Sequence, residues 1–390
     1  MRLAAWIATG IAATAVAAFA DLEGVFTGGL NHPAIEYATR PLHDPIAELN
    51  HKIQDGSVQL RFDGGQGYLR SVLDALHVPI ESQMMVFSKT SVQAARINPQ
   101  NPRSLFFNDA VTIGWVRGGF VEAAALDPQQ GVHFYELQQS ETEKPQFQRD
   151  DRCLSCHESL ATLGVPGMLL RSVFTAPDGK AMRRFGDFVS DHRSPLAERW
   201  GGWYVTGNLG GIKHMGNASE KLEIDGYLSP YSDIAALMVF EHQMHMTNLL
   251  TRIGWEVRYA VHESGDVKSV LRDTARELVD YMMFIDEAPI AGKIQGTSGF
   301  TEKFAAQGPL RQLDLEHRLM RYPCSYMIYS EAFDSLPVEA KATIYSRMWQ
   351  ILSGQENGAR YARLSAADRK AILQILRKTK PGLPSYYRAQ

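Results

Sequence analysis

The sequence predicts an α+β fold: an antiparallel, β-rich amino-terminal part, a short inserted region and a helical carboxy-terminal part. Three observations predict it. Between Met84 and Tyr135, short β-branched and aromatic runs alternate with Asn-Pro, Asn-Asp, Gly-Gly and Asp-Pro turn signals. Beyond about Leu228, apolar residues recur at the helical period over long runs. The stretch between them carries the paired cysteines and a run of tryptophan, tyrosine and glycine. Together these divide the chain into a leader over residues 1–20, a mixed helix and strand unit over 21–145, an inserted region over 146–228 and a helical unit over 229–390.

Met1-Arg2 forms a short positive start, Leu3 to Ala18 is apolar and alanine-rich, and Ala18-Phe19-Ala20 fits a cleavage site before Asp21. This pattern predicts a secretory signal peptide and an exported protein, periplasmic in a bacterium. An uncleaved amino-terminal anchor is the alternative. No other uncharged stretch of membrane-spanning length follows, so no stable membrane insertion is expected after cleavage. Removing the leader with its Arg2 leaves 39 basic residues against 43 acidic ones, a net charge of −4. That mild balance, with no basic run, argues against nucleic-acid binding. The remaining 370 residues, in a chain that is 45% apolar, suffice for a sizeable core.

Taken in order, Ile46, Leu49 and Ile53 mark one helical face, and Tyr68, Val72, Leu73 and Leu76 another. Strands are expected at Met85-Val86-Phe87, Ser104 to Phe107, Val111 to Val116, Val121 to Ala123 and Val132 to Tyr135. Further β-like stretches run from Leu170 to Thr175 and from Arg199 to Val205. Helices are expected at Tyr231 to Ala260, Val267 to Phe284, Leu310 to Arg321, Val338 to Leu352 and Ala366 to Lys378, as a bundle or a helical cap.

Cys153-Leu154-Ser155-Cys156-His157 has the spacing C-x-x-C-H, the attachment signature of a c-type haem. Two cysteines three apart share one side of a helical turn, so both sulfurs reach the two haem vinyl groups as thioethers. His157 then supplies the proximal iron ligand, and its other ring nitrogen requires an acceptor to fix tautomer and ring plane. A zinc ribbon would need a second cysteine pair, whereas the remaining cysteine is the single Cys324, read as a small buried thiol. A thioredoxin-like pair would open a helix in a βαβ unit, but Gln146 to Arg152 reads as a polar loop.

In this region the chain resembles the c-type cytochromes. The resemblance implies one covalent haem c held by Cys153, Cys156 and His157. It is partly like class I members, whose Gly/Pro turn supplies the carbonyl that accepts the histidine N–H. Gly164-Val165-Pro166-Gly167 matches that turn, so the carbonyl near Pro166 would orient His157, with Met168, Leu169 and Leu170 on the haem edge. The same resemblance implies a methionine ligand well downstream of the histidine. Met215, in a glycine-rich loop, meets that spacing and Met168 does not; the adjacent His214 is the alternative ligand.

A second constellation, Met238, Glu241, His242, Met244, His245 and Met246, lies on the long helix expected from Tyr231. His242 and His245 share a face at i, i+3. They are candidates for acid/base groups, for ligands of a separate metal with Glu241, or for buried hydrogen-bonded core. Two functions follow. The first is an exported mono-haem cytochrome passing single electrons to or from a redox partner protein or a small-molecule donor or acceptor. The alternative is a haem enzyme of peroxidase or oxidase type, with an open distal site served by His242 or His245.

Overall fold

The computed structural model describes residues 24–222 and 224–388. The leader expected over Met1–Ala20 lies outside the described residues. Helices α1 (Pro45–Gln54) and α2 (Leu69–Ala75) come first, followed by strands β1 (Met84–Val86), β2 (Arg103–Phe107), β3 (Val111–Trp115), β4 (Val121–Asp127) and β5 (Gly131–Leu137). β6 (Gln148–Arg149) leads into α3 (Leu154–His157), the one-turn helix that carries the cysteine motif. β7 (Leu170–Val173) and β8 (Asp187–Ser190) form a separate hairpin, and β9 (Trp203–Thr206) and β10 (Asn217–Ser219) return to the main sheet. Then come α4 (Ile234–His262), α5 (Val267–Met282), α6 (Phe300–Ala305), α7 (Glu331–Asp334), α8 (Val338–Leu352) and α9 (Ala366–Thr379).

The expected α+β class is what the chain adopts. Its eight-stranded sheet has the order β10-β9-β1-β2-β3-β4-β5-β6 and is antiparallel except for the β9–β10 pair. Because β1 pairs with both β2 and β9, the sheet draws strands from either side of position 145. The boundary expected at 145/146 therefore runs through one sheet.

Side chains alternate across this sheet, and each face meets a different partner. On one face Phe106, Ile113, Trp115, Ala123 and Tyr135 bury Ile46, Leu49 and Ile53 of α1 and Leu69, Val72 and Leu73 of α2. Asp44 ties the layers: its carboxylate caps α1 through the Ile46 and Ala47 amides and accepts the Tyr135 hydroxyl at 2.5 Å. On the other face Met84, Leu105, Phe107 and Phe134 join the core built around α4. That helix is buried on almost every side, as a central helix must be. Asp233 caps it, and its second oxygen accepts the Thr297 and Ser298 amides.

One expected helix fails. Leu310 to Arg321 spaces its apolar residues helically, yet the segment turns back on itself, pairing Leu313 with Met320 across a bridge. Asp314 accepts the Glu316 and His317 amides, and Leu315 adopts φ 58°. The acidic side chain offers the backbone a turn in place of a helical hydrogen bond, and the left-handed residue completes it.

Candidate haem site

The register of the sheet builds the floor of a cavity of about 410 Å³. Leu105, Gly114, Glu122 and Glu136 form one row across β2 to β5; Phe107, Thr112, Ala124 and Phe134 form the next. The middle of this floor is thus Thr112, Gly114 and Ala124, a patch almost without side chains. A Cβ at Gly114 would stand 3.1 Å from both Glu122 Oε2 and Leu105 Cδ2. The walls are Val86, Phe120, Leu169, Trp203 and Phe240, and α3 with the residue that caps it contributes Cys153, Cys156 and His157.

The motif is presented by local capping. Asp150 accepts the Arg152 amide and pairs with the Arg152 guanidinium, so the chain turns sharply at the end of β6. Ser159 and Thr162 then form a reciprocal cap that closes the turn after His157. Leu163 (φ 60°) and Gly164 (φ 71°) reverse the chain into Val165-Pro166-Gly167.

His157 Nδ1–H donates to the Gly167 carbonyl at 2.9 Å, and the Gly167 amide donates back to the His157 carbonyl at 2.9 Å. The acceptor expected near Pro166 is one residue further on, since the Pro166 carbonyl accepts the Val132 amide. Among the described residues His157 Nε2 has no hydrogen-bond partner. The ring is half-buried and packs on Phe134 with centroids 4.8 Å apart. Burial lowers its pKa, opposed by the Gly167 bond, so the ring is neutral with Nε2 as the free lone pair.

The Gly167 turn is itself clamped. Asn248 of α4 accepts the Met168 amide through Oδ1 at 3.0 Å and donates to the Met168 carbonyl through Nδ2 at 2.7 Å. A Cβ at Gly167 would fall 2.1 Å from Asn248 Oδ1, so this approach requires glycine. A chain of contacts therefore runs from the buried helix through two backbone groups to the His157 ring.

Charge is arranged around the cavity. Five basic side chains line it (Lys89, Arg103, Arg152, Arg171 and Arg183) against three acidic ones (Glu122, Glu136 and Asp150). Burial and the Asp150 charge push the Cys153 thiol up to about 12, whereas a redox-active dithiol needs a lowered pKa. These features fit a haem c. Both sulfurs and one free imidazole nitrogen border a single cavity, the middle of its floor is nearly without side chains, and Phe120, Trp203 and Phe240 give it aromatic walls.

The other sequence candidates lie elsewhere. Met215 does not line the cavity: its amide donates to the Arg199 carbonyl and its sulfur rests 3.8 Å from Ser172 Oγ. His214 accepts the Gly216 amide and meets Trp200 edge-on. The glycine-rich loop that suggested an approaching ligand instead folds against Trp200 and the outer side of β7. His242 and His245 also stay off the cavity. His242 bonds His192 and Ser325, and His245 lies 3.0 Å from an Arg193 guanidinium nitrogen beside Asp191. Glu241 is fully buried against Arg199 and Ser190. The helix constellation is thus hydrogen-bonded core, and Cys324 is the buried thiol expected.

Sequence reasoning missed Arg103, Glu122, Gly114 and Asn248. A signal for Gly114 and Glu122 existed in the alternation of large and small or charged residues along β3 and β4, as in Thr112, Gly114 against Ile113, Trp115. Among the described residues no helix is long and apolar enough to cross a membrane. No family model, curated protein or solved structure matches the chain.

Proposed function

We propose that the chain is an exported mono-haem c-type cytochrome, with its haem in this cavity and a sixth iron position left open to a small molecule. The observation that carries the reading is that Cys153, Cys156 and His157 all border one cavity whose floor is stripped to threonine, glycine and alanine. A bound haem supplies a one-electron couple and an axial position for a small ligand.

The chain's own residues do the rest. Cys153 and Cys156 hold the group by thioethers, and His157, oriented by Gly167 and Asn248, offers Nε2 to the iron. Phe134, Trp203 and Phe240 keep water from the interior side. Cys156 is exposed, which supports electron exchange with a partner protein or small molecule at that edge. The open position is supported by the lining: its one imidazole is His157, and its one thioether belongs to Met168, next in the chain to the Gly167 that His157 bonds.

The test is expression in a host with cytochrome c maturation, followed by acid–acetone extraction. One haem per chain should stay with the protein, and should be lost to the extract in Cys153→Ala/Cys156→Ala. The ferric spectrum should change on adding cyanide. A wild type without retained haem would end the reading; a retained haem indifferent to cyanide and carbon monoxide would end the open position.

A further inference from the structure

We propose that Arg103 anchors a small anionic ligand, of the size of azide, nitrite or hydroperoxide, in the cavity, and that Glu122 is the positioning residue that sets its guanidinium. The inference rests on the haem reading above. Arg103 belongs to β2 and Phe134, against which His157 packs, to β5. Three strand spacings separate β2 from β5, roughly 14 Å across the floor.

The cations of the cavity differ in which donors are used. Arg103 Nη1 donates to Glu122 Oε2 at 2.9 Å. Its Nε is buried and has no partner, and Nη2 bonds nothing among the described residues. The other cations of the cavity are committed. Arg152 serves Asp150 and Glu136, Arg171 grips Asp187 with two nitrogens, Arg183 leans on Asp187 and Lys89 on Asp178. Arg183 also keeps most of its fork, but in solvent; Arg103 is the least exposed of the five cations and keeps Nε and Nη2 without partners among the described residues.

Glu122 is the opposite case. Oε2 takes Arg103, while Oε1 accepts Ser91 Oγ at 2.9 Å and Gln93 Nε2 at 2.9 Å. A carboxylate so fully engaged orients its neighbour. Gln93 is fixed in turn by the Phe120 backbone, whose amide and carbonyl it bonds at 3.1 Å. The cavity thus presents a fixed cation with unspent N–H groups in the same lining as the one free imidazole. A ligand with one negative charge and lone pairs to spare fits such a group; a neutral diatomic gains little from it.

The test uses the haem-loaded protein and three optical titrations: azide and nitrite on the ferric form, carbon monoxide on the ferrous form. Arg103→Gln should weaken azide and nitrite by about tenfold or more, as expected for loss of a charge-assisted hydrogen bond, with carbon monoxide affinity unchanged. Arg103→Lys should recover part of the loss. Glu122→Gln should weaken the anions several-fold and Glu122→Asp less. Unchanged anion affinity in Arg103→Gln, with or without a shifted midpoint potential, would overturn the proposal and assign Arg103 to a propionate. An equal loss for carbon monoxide would also overturn it, as general damage. A wild type that holds no haem defeats the parent reading, whereas one that holds haem and binds carbon monoxide leaves a failed azide test to count against Arg103 alone.

Discussion

His192 and His242 meet through their Nδ1 atoms at 2.8 Å, deep between the β7–β8 hairpin and α4. One ring donates and the other accepts. Ser325 Oγ lies 2.7 Å from His242 Nε2, and His192 Nε2 is buried without a partner. Tyr281 and Phe284 stack on the pair. Burial lowers both pKa values, that of His242 to about 3.

The consequence for stability has a definite sign. The unfolded chain takes up these protons near pH 6.5 and the folded chain does not, so the stability they carry is present above pH 6.5 and is lost as pH falls. Glu241 and Glu287, pushed up to about 7 by burial, act oppositely between pH 4.5 and 7, because there the folded form binds the extra protons. Below pH 4.5 that offset ends. Urea unfolding should therefore show a shallow pH dependence down to about 4.5 and a steep loss below it, about 1.4 kcal/mol per pH unit for each imidazole. His242→Phe should reduce the steep slope by about that amount. An equal slope in the variant would contradict this account.

Asn248 should matter well beyond its own two bonds. Asn248→Ala leaves the Met168 amide and carbonyl without partners and frees the turn that orients His157. We expect a loss of about 2 kcal/mol in unfolding free energy, and in the haem-loaded protein a spread of imidazole orientations. Broadened ferric electron paramagnetic resonance lines would report the second effect. Sharp, unshifted lines would show that His157 is held without the clamp.

Met215→Ala and His214→Ala should leave the ligand-field spectrum of the haem-loaded protein unchanged, because both side chains sit off the cavity against Ser172 and Trp200. Their effect should be confined to a modest loss of stability from the cavity each leaves. A switch in spin state on changing either residue would mean that the 210–216 loop reaches the iron.

Local signals in the sequence were enough for the elements that bury apolar stripes. α1, α2, α4, α8 and α9 and strands β1 to β5 all lie where the periodicity suggested. β6, β8 and β10 were not legible, because Gln148-Arg149, Asp187 to Ser190 and Asn217 to Ser219 are short and polar and owe their pairing to neighbours. The C-x-x-C-H motif was legible because all its residues are consecutive in the chain. The far wall of the site was not. Arg103 and Glu122 come together only through the register of three strands, which no local pattern encodes. Conversely, His242 and His245 looked functional because paired histidines on a methionine-rich helix resemble a ligand set, and only the partners His192, Ser325, Asp191 and Arg193 reveal a packed core.

The cavity walls come from positions as distant as Val86 and Phe240, and β1 gains its outer neighbour only when Met85 pairs with Tyr204. A ribosome delivers Cys153 to His157 before Trp203 and Phe240 exist. On the haem reading, attachment needs Cys153 to His157 exposed, as they are before these walls close. A porphyrin tethered before the later strands and α4 pack would take part in collapse as one more large apolar group. A nascent chain that bypasses attachment must close the same walls over an interior lacking that surface, which makes the timing of maturation part of how this protein folds.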